Sequence, residues 1–386
     1  MFAAIHHVVA WICVAAVLAS VAYCLLCTWA ALRFAHQRNA SPFASADLPP
    51  VSILKPLKGA DPEMYEALRS HCVQESAPEY EILFGINDAR DPAVQVVNRL
   101  VAEFPQRNIR MVLCEKRLGA NGKVSSLAQL VPAANHDFLL VNDSDIRVSP
   151  DYLRTIMNEL SREGVGLVTC LYRGIPGGTL WSKLEALGIS TDFMPGVVAA
   201  REIERGMRFG LGSTLAFRRD DLDRIGGFTA IADYLADDYE LGLRIARLGS
   251  RVELSSEVVE THLPGYDFRG FFSHQLRWAR TIRASRAGGY FGLLLTFTFV
   301  WALAALLISP GASTGFLFAL AMTARFVMAV VSTKSLLRDA ATARRLWLLP
   351  LRDFVAVAIW VGGLFGRKVV WRGESFTLEG GKLKPS

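Results

Sequence analysis

Phe138-Leu139-Leu140-Val141-Asn142-Asp143-Ser144-Asp145 is the stretch on which the reading of this chain turns. Four consecutive apolar residues read as a strand buried on both faces, as strands of parallel sheets are. The run stops at two carboxylates spaced i and i+2. In open α/β sheets ligands sit beyond the carboxyl ends of the strands. Paired aspartate oxygens there suit a hard divalent ion, Mg2+ or Mn2+, that also grips phosphate oxygens. The competing reading is a polar turn in which Asp143 caps the segment before Pro150.

Working outward, strands and helices alternate. Val51 to Leu54, Tyr80 to Ile86 and Ile109 to Leu113 read as strands, with helices over Pro62 to Val73 and Pro92 to Glu103. Such alternation predicts a mostly parallel sheet. Each strand ends in polar residues: Lys55-Pro56-Leu57-Lys58-Gly59, then Asn87-Asp88, then Gly119-Ala120-Asn121-Gly122-Lys123, then Asp143-Ser144-Asp145. Lys58, Lys123 and the glycine-rich backbone can receive a diphosphate, Asp88 can accept from a base or ribose, and the aspartate pair can hold the ion. Taken singly, each is an ordinary surface lysine or turn residue. Four in register on one sheet edge favour a ligand site.

Beyond the pair, Gly166 to Leu171 reads as a strand and Leu180 to Ala200 as a helical stretch broken at Pro195-Gly196. Gly210 to Arg219 leads flexibly into another strand, and a short helix from Asp220 to Ile225 closes on Gly226-Gly227. Ala236-Asp237-Asp238-Tyr239 then opens a helix, where acidic residues suit the dipole even without any catalytic part.

The chain has 386 residues, of which 52% are hydrophobic, and its mean hydropathy of +0.28 is too apolar for an ordinary soluble enzyme. The excess lies at the ends. Val8 to Leu32 contains no charged residue and reads as a retained membrane anchor, with no basic segment before it to suggest a cleaved leader. Arg33, His36 and Arg38 follow it, so the positive-inside rule puts the rest, with a catalytic domain at 50–265, in the cytoplasm. A linker is expected at 39–50.

Residues 266–289 hold a basic amphipathic helix (Phe268 to Arg286) suited to the membrane interface. The C-terminal membrane region is 290–366: Tyr290 to Ser309 and Gly315 to Ser332 read as spans. Leu346 to Phe365, containing Arg352 and Asp353 that can pair with each other, is expected to be re-entrant or partly interfacial. Otherwise the basic loop Lys334 to Arg345 and the basic tail 367–386 fall on opposite sides. The six cysteines make no metal or disulfide spacing. A net charge of +6 and a pI near 9.0 fit a protein resting on an anionic leaflet, and no nucleic-acid partner is expected.

With these residues in place the chain resembles the ceramide glucosyltransferase-like family of inverting glycosyltransferases. The resemblance rests on Asp88, Asp143-Ser144-Asp145, Ala236-Asp237-Asp238-Tyr239 and Arg277-Trp278. Among its branches it is most similar to the hopanoid-associated one, through phrases such as Val51-Ser52-Ile53-Leu54-Lys55-Pro56-Leu57, Val168-Thr169-Cys170-Leu171-Tyr172-Arg173-Gly174 and His274-Gln275-Leu276-Arg277-Trp278-Ala279-Arg280. The likeness covers roughly residues 50 to 290.

It implies an α/β GT-A nucleotide-sugar-binding domain with a mixed, mostly parallel sheet and flanking transmembrane helices. It also implies a UDP-sugar donor, a lipid acceptor (bacteriohopanetetrol, or alternatively ceramide), and a multi-pass location in a bacterial inner membrane. Carried over by position, Asp88 contacts uridine and Asp143 and Asp145 hold metal and diphosphate. Asp238 is the general base, with Asp237 its nearest rival, and Arg277 and Trp278 close the sugar pocket. Two departures stand out. His274 replaces the family's Gln or Arg, and Asp145 replaces the small residue of several ceramide-active relatives. A rigid acceptor is expected in a cleft between Trp181 to Pro195 and the amphipathic helix. A processive polysaccharide synthase and a non-catalytic nucleotide-sugar sensor are the alternatives from other classes.

Overall fold

The computed structural model describes residues 2–39, 47–61, 63–371 and 373–385. Most of the expected linker, at 40–46, and the expected helix start at Pro62 lie outside the described residues. The chain divides into two compact units. One comprises residues 40–175, 204–264 and 371–386; the other comprises 1–39, 176–203 and 265–370. The expected catalytic span of 50–265 is therefore interrupted, since 176–203 groups with the apolar helices.

The first unit is built on an eight-stranded sheet. Its strands are β1 (Val51–Leu57), β2 (Tyr80–Ile86), β3 (Asn108–Leu113), β4 (Phe138–Val141), β5 (Ile146–Arg147), β6 (Val165–Pro176), β7 (Leu215–Arg218) and β8 (Arg251–Leu263). Their order is β3-β2-β1-β4-β7-β6-β8-β5. β1, β2, β3 and β4 run parallel, whereas β7 is antiparallel to both β4 and β6. The sheet is mixed and half of it is parallel, as the alternation requires.

β4 is central because Leu139, Leu140 and Val141 are fully buried, and burial of such side chains stabilises by about 1.5–3 kcal/mol each. Helices Met64–Cys72, Ala93–Glu103 and Tyr152–Leu160 pack Leu68, Val97 and Ile156 onto one sheet face against Ile53, Ile82 and Leu140. β1 runs three residues beyond the expected Leu54. Its pairing with β4 ends at Leu54, so Pro56 has a strand partner only on the β2 side.

β8 was not anticipated: its buried Val252, Leu254, Val259 and Leu263 are interleaved with Ser, Glu and Thr, a pattern more polar than a central strand usually shows. Nor was the C-terminal hairpin Glu374–Glu379 and Lys382–Pro385, expected as a plain tail. It docks through Leu383 N to Asp233 O at 2.7 Å and Leu235 N to Gly381 O at 3.1 Å.

The second unit is helical: Phe2–Asn39, Leu180–Gly188, Met194–Ile203, Phe268–Ser285, Ala287–Gly292, Thr298–Ile308, Ala312–Val331 and Leu349–Leu364 are its main helices. Phe2–Arg38, Ala312–Leu336 and Leu346–Leu364 are long and apolar enough to cross a membrane. The break expected at Pro195-Gly196 falls earlier, in a π-helical turn at Ile189–Phe193. There the chain offers the Thr191 carbonyl to Arg325 Nη1 at 2.8 Å and the Ser190 carbonyl to Ser332 Oγ at 2.6 Å.

Arg352 and Asp353 do not pair with each other, contrary to expectation. Neighbours along a helix point apart, so Asp353 reaches Arg325 (2.8 Å) and Arg352 reaches Asp192 (3.4 Å), with Arg325 also 2.6 Å from Asp192. Each buried charge thus meets an opposite one, as an apolar matrix demands.

Gly242 tests the packing of the helix Asp237–Arg247. A Cβ there would lie 2.2 Å from Gly210 N and 2.5 Å from Phe209 C. Gly242→Ala is expected to destabilise the sheet unit by about 1–3 kcal/mol, read as a lower thermal unfolding midpoint in detergent.

Candidate active site

The carboxyl ends of the parallel strands are tied into one edge. Gly59 N after β1 donates to Asp91 at 2.9 Å, and Asn87 after β2 accepts from Ser126 Oγ at 2.7 Å. Lys123 reaches Asp143 Oδ1 after β4 at 2.8 Å. Lys123 leaves the first turn of the helix Gly122–Leu130, which Asn121 caps by accepting from Val124 N at 3.1 Å. A cation at a helix start opposes the dipole, and carboxylates compensate. Asp237 Oδ2 is 3.0 Å from the same ammonium. Burial works against the charge of Lys123, but Asp143, Asp237 and Asp238 outweigh it and hold its pKa above the usual lysine range.

The Asp-Asp helix supplies the other wall. Asp238 Oδ2 accepts from Gly212 N and Oδ1 from Tyr239 N, both at 2.8 Å. Gly212 sits where the two acidic loops meet: a Cβ there would lie 2.9 Å from Asp143 Oδ2 and 3.3 Å from Asp238 Oδ2. Burial and the charge of Asp237 push Asp238 up to about 6, against the pull of Lys123. The two adjacent aspartates are thereby distinguished. Asp237 is buried in an ion pair, whereas Asp238 is oriented by backbone amides and paired to no cation within ion-pair distance among the described residues.

Asp143 and Asp145 also differ. Asp143 is 43% exposed at its side chain, open enough to take a ligand. Asp145 Oδ2 accepts from Thr261 Oγ1 at 2.6 Å, and its backbone carbonyl accepts from His262 N at 3.1 Å, which fastens it to β8. Burial, then the charge of Asp143, raises its pKa.

No group of three or more His, Cys, Asp or Glu among the described residues forms a closed metal cage. Hard carboxylate oxygens on one open side chain and a second two residues on fit an ion that keeps most positions for phosphates and water, as Mg2+ does. They do not fit a structural zinc site.

Lys55 within β1, rather than Lys58 just after it, faces the aspartates: it is fully buried, with Nζ 3.2 Å from Asp143 O. Burial pushes it down to about 7 despite Asp143 and Asp145. Lys58 lies 4.0 Å from Glu374 of the C-terminal hairpin, which also takes Arg117 at 2.7 Å. Asp88 is exposed and held by Arg90, whose N and Nε donate to it at 2.9 and 3.1 Å; these contacts lower its pKa.

Residue reading missed Lys55, Asn121, Gly212 and Asp91. Only Lys55 carried a signal, as a lysine inside an apolar strand.

Arg277 and Trp278 belong to the helical unit. Trp278 packs on His274 (5.3 Å between ring centres) and Phe193 (6.1 Å). The side chain of Glu185 is 1% exposed, and its carboxylate lies 3.1 Å from His274 Nδ1. A buried acid at that point gives a physical reason for a histidine at position 274. The expected cleft beside this helix is closed where Trp181 packs on Phe268 and Phe271 and Phe193 packs on Trp278.

The family model for glycosyl transferase family 21 matches residues 10–384. The chain belongs to that family. It is 25% identical over 248 residues to ceramide glucosyltransferase 3 of Caenorhabditis elegans, covering 61% of this chain and 51% of that protein. It is also 25% identical over 215 residues to beta-monoglucosyldiacylglycerol synthase of Trichormus variabilis, covering 55% and 44% respectively. The chain thus spans about half the length of these curated relatives. A mannosyltransferase from Pyrobaculum calidifontis, solved with GDP-mannose and Mn2+, superposes with a TM-score of 0.55 at 19% identity, over 92% of this chain and 99% of that one. This family 21 chain therefore has the GT-A fold.

Gly212→Ala probes the meeting of the two loops. The atoms it meets are ends of side chains, so the fold should persist while both carboxylates shift. Transferase turnover is expected to fall by about 10²-fold with little change in melting temperature.

Proposed function

We propose that this family 21 chain is a membrane-bound inverting transferase that moves one sugar from a UDP-sugar to a lipid hydroxyl. The observation that carries the reading is the division of labour around Lys123. Asp143 is open for the donor's ion and phosphates, Asp237 neutralises the lysine, and Asp238 is left oriented with its pKa raised to about 6. A base whose pKa lies near the working pH transfers protons most effectively. When bound at Asp143 and Asp145, a divalent ion supplies neutralisation of the departing diphosphate.

The chain's own residues do the rest. Lys123 and Lys55 add positive charge beside the phosphates as charge develops there. Asp238 takes the proton of the acceptor hydroxyl as the oxygen bonds the anomeric carbon and the bond to UDP breaks. Its two backbone hydrogen bonds leave each carboxylate oxygen a second lone pair for that proton. In this reading Asp88 and Lys58 serve the nucleoside and diphosphate.

Supporting a lipid acceptor are the candidate spans and the relatives' names, ceramide glucosyltransferase and monoglucosyldiacylglycerol synthase. Transfer of N-acetylglucosamine to bacteriohopanetetrol in a bacterial inner membrane is the finer reading. Glucosylation of ceramide is the second, favoured by the curated relatives.

Asp238→Asn should leave UDP binding near normal while turnover drops by about 10²-fold or more. The base must be deprotonated, so kcat/KM should rise with pH through about 6 and then level. Asp237→Asn removes a charge that raises Asp238, so its acid limb should move to lower pH. An unmoved limb, or full activity of Asp238→Asn, transfers the role elsewhere.

Purified protein given UDP-N-acetylglucosamine or UDP-glucose, each with bacteriohopanetetrol or ceramide, should yield one glycolipid by mass spectrometry, and none in excess EDTA. Glucosylceramide as sole product decides for the second reading. Polymer, or no turnover of any UDP-sugar, rejects lipid transfer.

A further inference from the structure

Leu346–Leu364 qualifies by length and composition as a membrane span, as do Phe2–Arg38 and Ala312–Leu336. Ala287–Thr296 with Thr298–Ile308 would make another, bent by 56°. They cannot all cross. Residues 204–264 and 371–386 belong to one compact unit, through which no bilayer can pass, so the chain crosses an even number of times between 265 and 370.

The N-terminal helix shows which segments do so. Near its start, His6 Nε2 lies 2.9 Å from Ile308 O, where the bent pair ends. Near its finish, Arg38 donates to Leu336 O at 2.9 Å and Ser335 O at 3.1 Å, where Ala312–Leu336 ends. The bent pair leads to the His6 end and Ala312–Leu336 returns to the Arg38 end, which makes two crossings. Leu346–Leu364 must then begin and finish on the Arg38 side.

Its contacts agree. Beyond its last turn, Phe365 O and Lys368 O accept from Arg280 at 3.1 and 2.6 Å, and Gly366 O accepts from Arg283 at 2.7 Å, all from the amphipathic helix Phe268–Ser285. A Cβ at Gly363 would lie 3.0 Å from Ala279 Cβ, so the two helices touch closely. The opposite face is exposed at Trp347, Leu351, Phe354, Ala358, Val361 and Phe365. These fall three and four apart on one stripe, with no polar residue. A cavity of about 470 Å³ lined by Lys334, Arg338 and Arg344 precedes the helix, and cations of this kind suit lipid phosphates.

We propose that Leu346–Leu364 does not cross the bilayer. It lies along the interface on the Arg38 side with its stripe in the acyl layer of that leaflet, making with Phe268–Ser285 a platform embedded in the same leaflet. The partner is the phospholipid monolayer itself, whatever the acceptor. The polar side chains on its protein-facing side, Arg352 and Asp353, are matched by Asp192 and Arg325.

Single cysteines at exposed positions test this: Ala3→Cys, Ser313→Cys, Ala341→Cys and Lys384→Cys, in the full chain, where the six native cysteines are buried. Each is treated with a membrane-impermeant maleimide in sealed vesicles of both orientations, with labelling after detergent setting the total. The expected result is Ala3 and Ser313 reactive from one side, and Ala341 and Lys384 both from the other. Ala341 and Lys384 reacting from opposite sides, or Ala341 from the side of Ser313, would overturn the proposal. Because the readout is independent of turnover, failure of the proposed enzymatic reading leaves this result interpretable.

Discussion

A lysine enclosed by three carboxylates sets the terms for the sheet unit. Like charges gathered in a partly dehydrated site repel strongly, and Lys123 is the group that lets Asp143, Asp237 and Asp238 share it. The surrounding backbone serves that arrangement. Asn121 caps the helix that presents the lysine and reaches Tyr234 O at 2.8 Å, just before the Asp-Asp helix. Gly210 and Gly242 allow that helix to sit against the loop whose Gly212 amide holds Asp238. Compensation is asymmetric, and the asymmetry gives chemically different roles to residues of one type.

The helical unit answers a parallel constraint in an apolar setting. Arg325, Asp192, Asp353 and Arg352 neutralise one another from three separate segments, so the polar faces of otherwise apolar helices are turned inward. π-helical turns at Ile189–Phe193 and Ser332–Leu336 bring carbonyl and hydroxyl groups into the same network. Such turns recur where a helix accommodates a functional or strained contact. Glu185 and His274 extend the polar lining to the Arg277-Trp278 helix.

Local pattern carried a good deal of this. The apolar run of β4 and the alternation around it were enough for the parallel half of the sheet. The polar strand ends pointed to a shared edge that Lys123 and Asp143 occupy together. Family phrases pointed to the GT-A fold. Less was legible where the deciding partner is remote. β8 reads as polar because Ser, Glu and Thr are interspersed among its buried Val and Leu residues. The hairpin at 374–385 holds too few apolar residues to declare itself, and its place comes from Asp233 and Leu235. Arg352 and Asp353 looked like a pair because they are adjacent, yet adjacent helical residues diverge.

The sequence by itself determined the secondary-structure alternation, the apolar ends and the acidic motifs, because periodicity and residue type act within a few positions along the chain. Only the tertiary structure decided which lysine faces the aspartates, which of Asp237 and Asp238 is neutralised, and which carboxylates balance Arg325 and Arg352. Those outcomes depend on electrostatics and packing between residues 28 to 160 positions apart, where only the folded backbone sets distance.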